Sequence, residues 1–207
     1  MKKGVVKFTF LGIGLFILLF LILFIPEGKS WAGTGAGSYN CSGCDDCTAA
    51  IGNASAGATI YLNTSLAYIN QTCINFGNKS NVIFDCQNYS NYIQGNGSMT
   101  PYYYGVNMSS IRNDAIRNCN VSKFYNAFYL FSSSNNTLTS NTGTSNSSYG
   151  FFLRLSSNNT LTSNTGISNT GYGFYLYYSS NNNTLISNIG ISNSSYGFFC
   201  NFLQITP

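Results

Sequence analysis

Few residues of this chain could carry acid, base or metal chemistry. After residue 32 the acidic side chains are Asp45, Asp46, Asp85 and Asp114, and the sequence contains no histidine. Ser-His-Asp catalysis, Cys-His catalysis and imidazole metal sites are therefore excluded. General acid and base catalysis or Ca²⁺ binding would need carboxylates that converge on one face. The sequence shows no such pair, so we predict a protein that is not an enzyme and that has neither a metal site nor a cofactor.

The seven cysteines are the other candidates for chemistry. Cys41, Cys44 and Cys47 form a C-x2-C-x2-C cluster. In a cytosolic protein this spacing would indicate a metal or iron–sulfur site, whereas an exported protein uses such cysteines for disulfides. The number of possible pairings leaves the connectivity open. The disulfide candidates are Cys41, Cys44, Cys47, Cys73, Cys86 and Cys119.

The first 32 residues predict export. Three lysines lie among residues 1–7, and residues 8–25 form an uncharged run rich in Phe, Leu and Ile. Such a segment is either a signal peptide, cleaved before Gly33, or a retained transmembrane anchor. In both cases the rest of the chain lies outside the cytoplasm, secreted or membrane-anchored at the cell surface. There the fourteen Asn-x-Ser/Thr tripeptides are glycosylation candidates.

The charge balance excludes a further class of partner. Only 7% of the residues are charged, and polarity comes instead from 29 asparagines and 28 serines. After residue 32 five basic side chains face the four aspartates, a net charge of +1. A protein that binds a nucleic acid backbone needs a basic surface that neutralises several phosphates. We therefore expect no nucleic acid partner.

The elements that position these residues are set by a repeat of 23 or 24 residues, clearest over residues 111–203. A repeat of this length predicts a solenoid in which each copy forms one coil. The columns in phase are Asn118, Asn141, Asn164 and Asn188; Leu138, Leu161 and Leu185; Val121, Thr144, Ile167 and Ile191; and Phe128, Phe151, Phe174 and Phe198. Stacked asparagines in such a fold can hydrogen-bond along the solenoid axis.

Residues 150–172 illustrate one coil. The run from residue 150 to residue 155 alternates, which predicts that Phe151, Leu153 and Leu155 point inward. Phe152 and Arg154 then point outward. Leu161 and Ile167 supply the inward residues of the second and third strands, and each strand pairs in parallel with its equivalent about 4.8 Å away in the next coil.

The stretches 81–97, 104–108 and 116–122 and the Tyr-Gly-Phe runs resemble right-handed parallel β-helix repeat proteins, such as the NosD-like and pectate-lyase-like families. Many of these are exported proteins of prokaryotic, especially archaeal, cell surfaces, and the similarity covers about residues 41–207. The resemblance implies an all-β, right-handed parallel β-helix of about six coils. Because the superfamily includes lyases, hydrolases, adhesins and copper-assembly factors, the resemblance does not select an activity.

The predicted organisation has three parts. Residues 1–32 are the hydrophobic export or anchor helix, residues 33–56 are a Cys-rich linker and N-terminal cap with a short capping helix at 46–51, and residues 57–207 are the β-helix. Cys86 and Cys119 stand at matching places in adjacent coils, within disulfide range. Cys200 follows Leu176 in an inward column and is expected to be a buried free thiol.

One outward column is a candidate ligand-binding surface, consisting of Tyr129, Phe152, Tyr175 and Phe199. Aromatic side chains suit sugar rings or another protein, although stacking between neighbouring strands would also explain them. We therefore predict an exported cell-surface protein with a structural, adhesive or carbohydrate-binding role. The alternatives are a polysaccharide lyase or glycoside hydrolase and, more remotely, a NosD-like periplasmic copper-assembly factor, for which the chain has no histidine and only Met99 and Met108 after the initiator.

Overall fold

Parallel β-strands follow one another around a common axis in a computed structural model that describes residues 37–87 and 91–201. The predicted export or anchor segment, residues 1–32, lies outside the described residues. Within those ranges, no helix is long and apolar enough to cross a membrane. The chain passes through three sheets in turn, which confirms the prediction of an all-β parallel solenoid.

The first sheet, sheet A, has seven strands: β1 (Ser38–Cys41), β2 (Thr59–Leu62), β5 (Ile83–Asp85), β8 (Ala115–Arg117), β11 (Thr137–Thr139), β14 (Thr160–Thr162) and β17 (Thr184–Ile186). Sheet B has six: β3 (Leu66–Ile69), β6 (Tyr92–Gly95), β9 (Asn120–Ser122), β12 (Thr142–Ser145), β15 (Thr165–Ser168) and β18 (Ile189–Ser192). Sheet C also has six: β4 (Ile74–Asn75), β7 (Tyr104–Ser109), β10 (Asn126–Phe131), β13 (Tyr149–Arg154), β16 (Phe174–Tyr177) and β19 (Phe198–Asn201). The solenoid therefore has about seven turns, one more than the sequence suggested.

A short helix, α1 (Cys44–Asn53), covers the first turn. It buries Cys44, Cys47, Ala50 and Ile51 and contacts β1, β2 and β4. The strand β1 precedes the helix and already pairs with β2, so sheet A begins at Ser38, inside the segment that the sequence analysis assigned to the linker and cap.

The core is built from inward columns of identical side chains. Phe128, Phe151 and Phe174 are fully buried, and their ring centroids lie 4.5 and 4.6 Å apart with the planes 5° and 6° from parallel. Leu130, Leu153 and Leu176 form the next inward column of sheet C. These columns agree with the alternation predicted from the sequence.

The third inward position is a glycine, so the prediction that Ile167 points inward is wrong. Gly143, Gly166 and Gly190 pair in register along sheet B, and Ile167 lies on the outer side. A Cβ atom on Gly166 would come within 2.7 Å of the Phe174 ring and 2.4 Å of the Gly173 carbonyl oxygen. The large inward phenylalanine therefore requires a residue without a side chain opposite it.

Two other details of the predicted coil differ in the structure. β13 ends at Arg154, and Leu155 has a φ of 53° and is half-buried, so it turns the chain and does not extend the inward alternation. The first of the aligned repeats is also one residue shorter than the 23 residues from Asn118 to Asn141 that the alignment predicts. Its length is set by the pairing of Ile116 with Leu138. As a result Cys119, and not Asn118, occupies the place that Asn141 takes in the next turn.

Many of the corners share one backbone arrangement. A residue in the left-handed region is followed by a polar residue whose side chain points into the turn, as at Ser140 and Asn141 and at Ser163 and Asn164. Asparagine and serine suit the left-handed position because short polar side chains lessen its steric cost. This arrangement explains why polarity in the chain comes from amides and hydroxyls and not from charges.

Candidate functional site

The aromatic candidates lie on the outer side of sheet C, where alternation places every second residue toward solvent. Tyr129, Phe152, Tyr175 and Phe199 pair in register on β10, β13, β16 and β19. All four are half-buried. With their neighbours they form what we call the aromatic face: Tyr129, Phe152, Tyr175 and Phe199; Tyr149, Tyr172 and Tyr196; and Phe131, Arg154 and Tyr177.

The rings of this face contact one another from turn to turn. Phe152 and Tyr175 are stacked with centroids 5.1 Å apart and planes 9° from parallel, whereas Tyr129 and Phe152 are tilted by 37° at 5.5 Å. Tyr149 and Tyr172 are stacked at 5.5 Å. A stacked ring has one side covered by its neighbour, so solvent meets the ring edges, the hydroxyls and the open sides of the tilted rings.

The aromatic face carries little charge. Arg154 is the only charged residue in the described strands of sheet C, and its guanidinium carbon lies 5.5 Å from the centroid of the Phe131 ring. Burial raises the pKa of Tyr149 and Tyr129, and it raises the pKa of Tyr175 to about 12. These hydroxyls are therefore neutral hydrogen-bond donors at physiological pH, on a face that carries one positive charge.

Each of the four aspartates accepts at least one hydrogen bond from a structural partner. Asp85 is only 7% exposed, and its Oδ2 lies 2.7 Å from Nε of Arg117. Its Oδ1 accepts hydrogen bonds from the Gln87 backbone N–H and from the Asn118 amide. Burial alone would raise the pKa of Asp85, but these three donors outweigh it and lower the pKa. The bond from Gln87, two residues further on, makes Asp85 part of a turn.

The other aspartates are similarly placed. On α1, Asp45 accepts a hydrogen bond from the Gln71 amide and Asp46 accepts one from the Ser42 backbone N–H. Asp114 is 2% exposed and accepts a hydrogen bond from the Val82 backbone N–H. The described residues thus do not present a pair of open carboxylates on one face.

The three disulfides use the six candidate cysteines. Cys41 bonds to Cys47 and Cys44 bonds to Cys73, which ties α1 to the first turn. Cys86 bonds to Cys119 in the next turn of the solenoid.

Cys200 is free, but it is exposed, so the prediction of a buried thiol is wrong. Its register with Leu176 is as predicted. Since no described turn stacks on β19, this inward column is open to solvent at Cys200.

Two buried amide columns stabilise the corners beside sheet A. The second amide column consists of Asn141, Asn164 and Asn188. Oδ1 of Asn164 accepts bonds from the backbone and amide nitrogens of Asn141, and Oδ1 of Asn188 accepts the same two bonds from Asn164. Oδ1 of Asn141 accepts the backbone N–H of Cys119, which heads this column. The first amide column, Asn136, Asn159 and Asn183, has the same geometry and is headed by Asp114. The sequence analysis missed the first column, although the recurrent Asn-Asn-Thr tripeptides at 135, 158 and 182 mark it.

One comparison with known proteins gives a match. A family model described as "Periplasmic copper-binding protein (NosD)" matches residues 39–203, which span most of the chain. No curated protein and no solved structure matches the chain.

Proposed function

We propose, from the premise that the chain belongs to the NosD family of right-handed parallel β-helix proteins, that it is a cell-surface protein with a structural and adhesive role whose aromatic face binds carbohydrate. The protein is exported: its family is described as periplasmic, and three disulfides are typical of compartments outside the cytoplasm. It acts there either as a secreted protein or held to the membrane by residues 1–32.

The observation that supports carbohydrate binding is the continuity of the aromatic face over successive turns. It combines ring surfaces, neutral tyrosine hydroxyls and a single guanidinium, and these groups contact the apolar C–H faces, the hydroxyls and the acidic groups of sugars. Because the solenoid repeats these groups every turn, the face suits a polymer better than a single sugar.

Each contact with a sugar is expected to be weak, and the affinity for a polymer rises with the number of contacts. An aromatic contact contributes about 1 kcal/mol. Since a millimolar dissociation constant corresponds to about 4 kcal/mol, one sugar unit on this face binds with millimolar affinity at best. Several such contacts along one polymer raise the effective concentration for each further contact. The carbohydrate partner is therefore a polysaccharide or a dense glycan coat.

A retention experiment tests this role. The full chain with its disulfides formed is passed over immobilised neutral and acidic polysaccharides, and we expect weak retention that the triple variant Tyr129→Ala, Phe152→Ala, Tyr175→Ala abolishes. Arg154→Gln is expected to reduce retention on the acidic polymer only. The matched control is Thr137→Ala, Thr160→Ala on the outer side of sheet A, which should be retained like the unmodified protein.

The outcome also separates the alternatives. Loss of retention in the control variant, or no retention on any glycan, would contradict carbohydrate binding and leave a structural or protein-binding role. We expect no bond cleavage with or without Ca²⁺. Cleavage that disappears in Asp85→Asn would favour the lyase or hydrolase alternative.

Copper binding, which the family description names, is not supported by the side chains of the described residues. Copper sites are built from thiolate, thioether and imidazole ligands. The chain has no histidine, and six of its seven cysteines form disulfides. Met108 is buried in the core, and Met99 is exposed in the segment between β6 and β7. The described residues contain no group of three His, Cys, Asp or Glu side chains placed to hold a metal. These residues do not fit a copper site.

A copper titration checks this interpretation. We expect Cu(I) competition experiments with the oxidised full chain to show weak binding at most, through the exposed thiol of Cys200. That binding should disappear in Cys200→Ser. Tight Cu(I) binding that survives this substitution would show that the chain holds copper by ligands that we have not recognised.

A further inference from the structure

The inference concerns Asp114, which stands at the head of the first amide column. Its backbone N–H donates to Oδ1 of Asn136 at 2.9 Å, as Asn136 donates to Asn159 one turn further on. Its own Oδ1 accepts the Val82 N–H at 3.0 Å. By its backbone bonds Asp114 is therefore a member of the column, with a carboxyl group where the following turns have an amide.

The other carboxyl oxygen of Asp114, Oδ2, has no hydrogen-bond partner of this kind. Oδ2 of Asp114 is buried and makes no hydrogen bond. In the following turns the equivalent atom is an amide Nδ2, which donates to the Oδ1 of the next asparagine at 3.0 Å, as from Asn136 to Asn159. For Asp114 the next group in the column is Oδ1 of Asn136, an acceptor. An ionised Oδ2 would meet that acceptor without a proton between them.

We infer that Asp114 is held as a neutral carboxylic acid whose proton takes the place of the missing amide hydrogen, and that this proton makes the stacking of the turns sensitive to pH. The proton lies on Oδ2 and is donated to Oδ1 of Asn136. When it is lost, a buried negative charge remains in the wall between two turns, where each unpaired buried charge is costly.

The charged groups around Asp114 do not supply a counter-ion. The preceding turn carries Lys79 and Asp85, and its own turn carries Arg112, Arg117 and, after β9, the exposed Lys123. Residues 131–141 of the following turn carry no titratable side chain. Arg117 is engaged by Asp85, and Arg112 is exposed. Burial raises the pKa of Asp114 to about 7, against a smaller opposing effect of the Val82 hydrogen bond.

The direction of the pH effect follows from this shift. Below pH 4 the carboxyl group is protonated in both the folded and the unfolded chain. Between pH 4 and pH 7 the unfolded chain releases the proton while the folded chain keeps it, so the protein loses stability as the pH rises. In this range the unfolding equilibrium constant rises by up to about tenfold per pH unit from this group.

The test compares the full, oxidised chain with Asp114→Asn by thermal and denaturant unfolding from pH 4 to pH 8. The asparagine variant restores the amide of the column, so we expect it to lose most of the pH dependence and to be more stable than the unmodified protein at pH 8. Asp85→Asn is the matched control. Because the pKa of Asp85 is lowered, its carboxylate stabilises the protein at neutral pH and this stability is lost on acidification, the opposite direction.

Two further readouts complete the test, the first of which needs no unfolding. The carboxyl ¹³C shift of Asp114 in the folded protein should titrate near neutral pH, and added CaCl₂ at pH 8 should not stabilise the chain. A carboxyl group that titrates near pH 4, a stabilisation by Ca²⁺ that Asp114→Asn removes, or an Asp114→Asn variant that keeps the pH dependence would each overturn the inference.

Discussion

Replacement of Phe151 by alanine is expected to lower the free energy of unfolding by about 3–5 kcal/mol. The ring is fully buried and lies between the rings of Phe128 and Phe174 at 4.5 and 4.6 Å. Its removal leaves a cavity that neighbouring turns cannot close, because their separation is fixed by the parallel hydrogen bonds of sheet C. Equilibrium unfolding in denaturant measures the loss.

Phe152→Ala is the matched control for this prediction. Phe152 is the next residue on the same strand, but it is half-buried on the outer side. We expect it to cost far less than Phe151→Ala. Equal losses at the two positions would show that the inward and outward assignment of β13 is wrong.

The second large effect is expected for Asn164→Ala. Oδ1 of Asn164 accepts the backbone and amide nitrogens of Asn141, and its Nδ2 donates to the Leu138 carbonyl. The substitution removes the acceptor of the buried Asn141 backbone N–H, the amide donor to the Leu138 carbonyl, and one of the two hydrogen bonds of the Asn141 amide, which keeps only its bond to the Ile116 carbonyl. Since an unsatisfied buried group costs about 1–3 kcal/mol, we expect a loss of about 3 kcal/mol or more.

An exposed amide of the same kind provides the comparison. Asn169 donates to Oδ1 of Asn146 and accepts from Nδ2 of Asn193, so it also links three turns by amide bonds. Water replaces these partners when Asn169 is changed to alanine, and the expected loss is only about 0.5–1 kcal/mol. Similar losses for Asn164→Ala and Asn169→Ala would contradict the role that we give to burial in the amide columns.

The fold could be predicted from the sequence because identical side chains recur in phase. In-register pairing brings Phe128, Phe151 and Phe174 together, so the repeat itself indicates which residues stack. The outward position of Tyr129, Phe152, Tyr175 and Phe199 follows from the same alternation. Ligand binding by these rings does not follow from the alternation, because stacking between turns and ligand binding use the same residues.

Other features depend on three-dimensional fit and were not accessible from periodicity. Ile167 is apolar and recurs in phase, yet the space inside sheet B is filled by phenylalanine rings from sheet C, which leaves room only for Gly166. The first repeat has 22 residues from Cys119 to Asn141. An alignment based on asparagines therefore places Asn118 in the column, one residue before the true position at Cys119. The place of Asp114 in the first amide column is not visible from the sequence, because its partners, Val82 and Asn136, lie one turn away on either side.

The distribution of the disulfides gives the solenoid two mechanical regimes. All three disulfides of the described residues lie between Cys41 and Cys119, while the described turns from about residue 120 onward are held to one another by noncovalent contacts alone. Under tension applied at the C-terminal side these turns peel away one at a time, and each releases about 80 Å of extended chain. The covalently closed turns then stop the extension. In the adhesive role that we propose, the chain would absorb work in this way and keep its N-terminal turns intact.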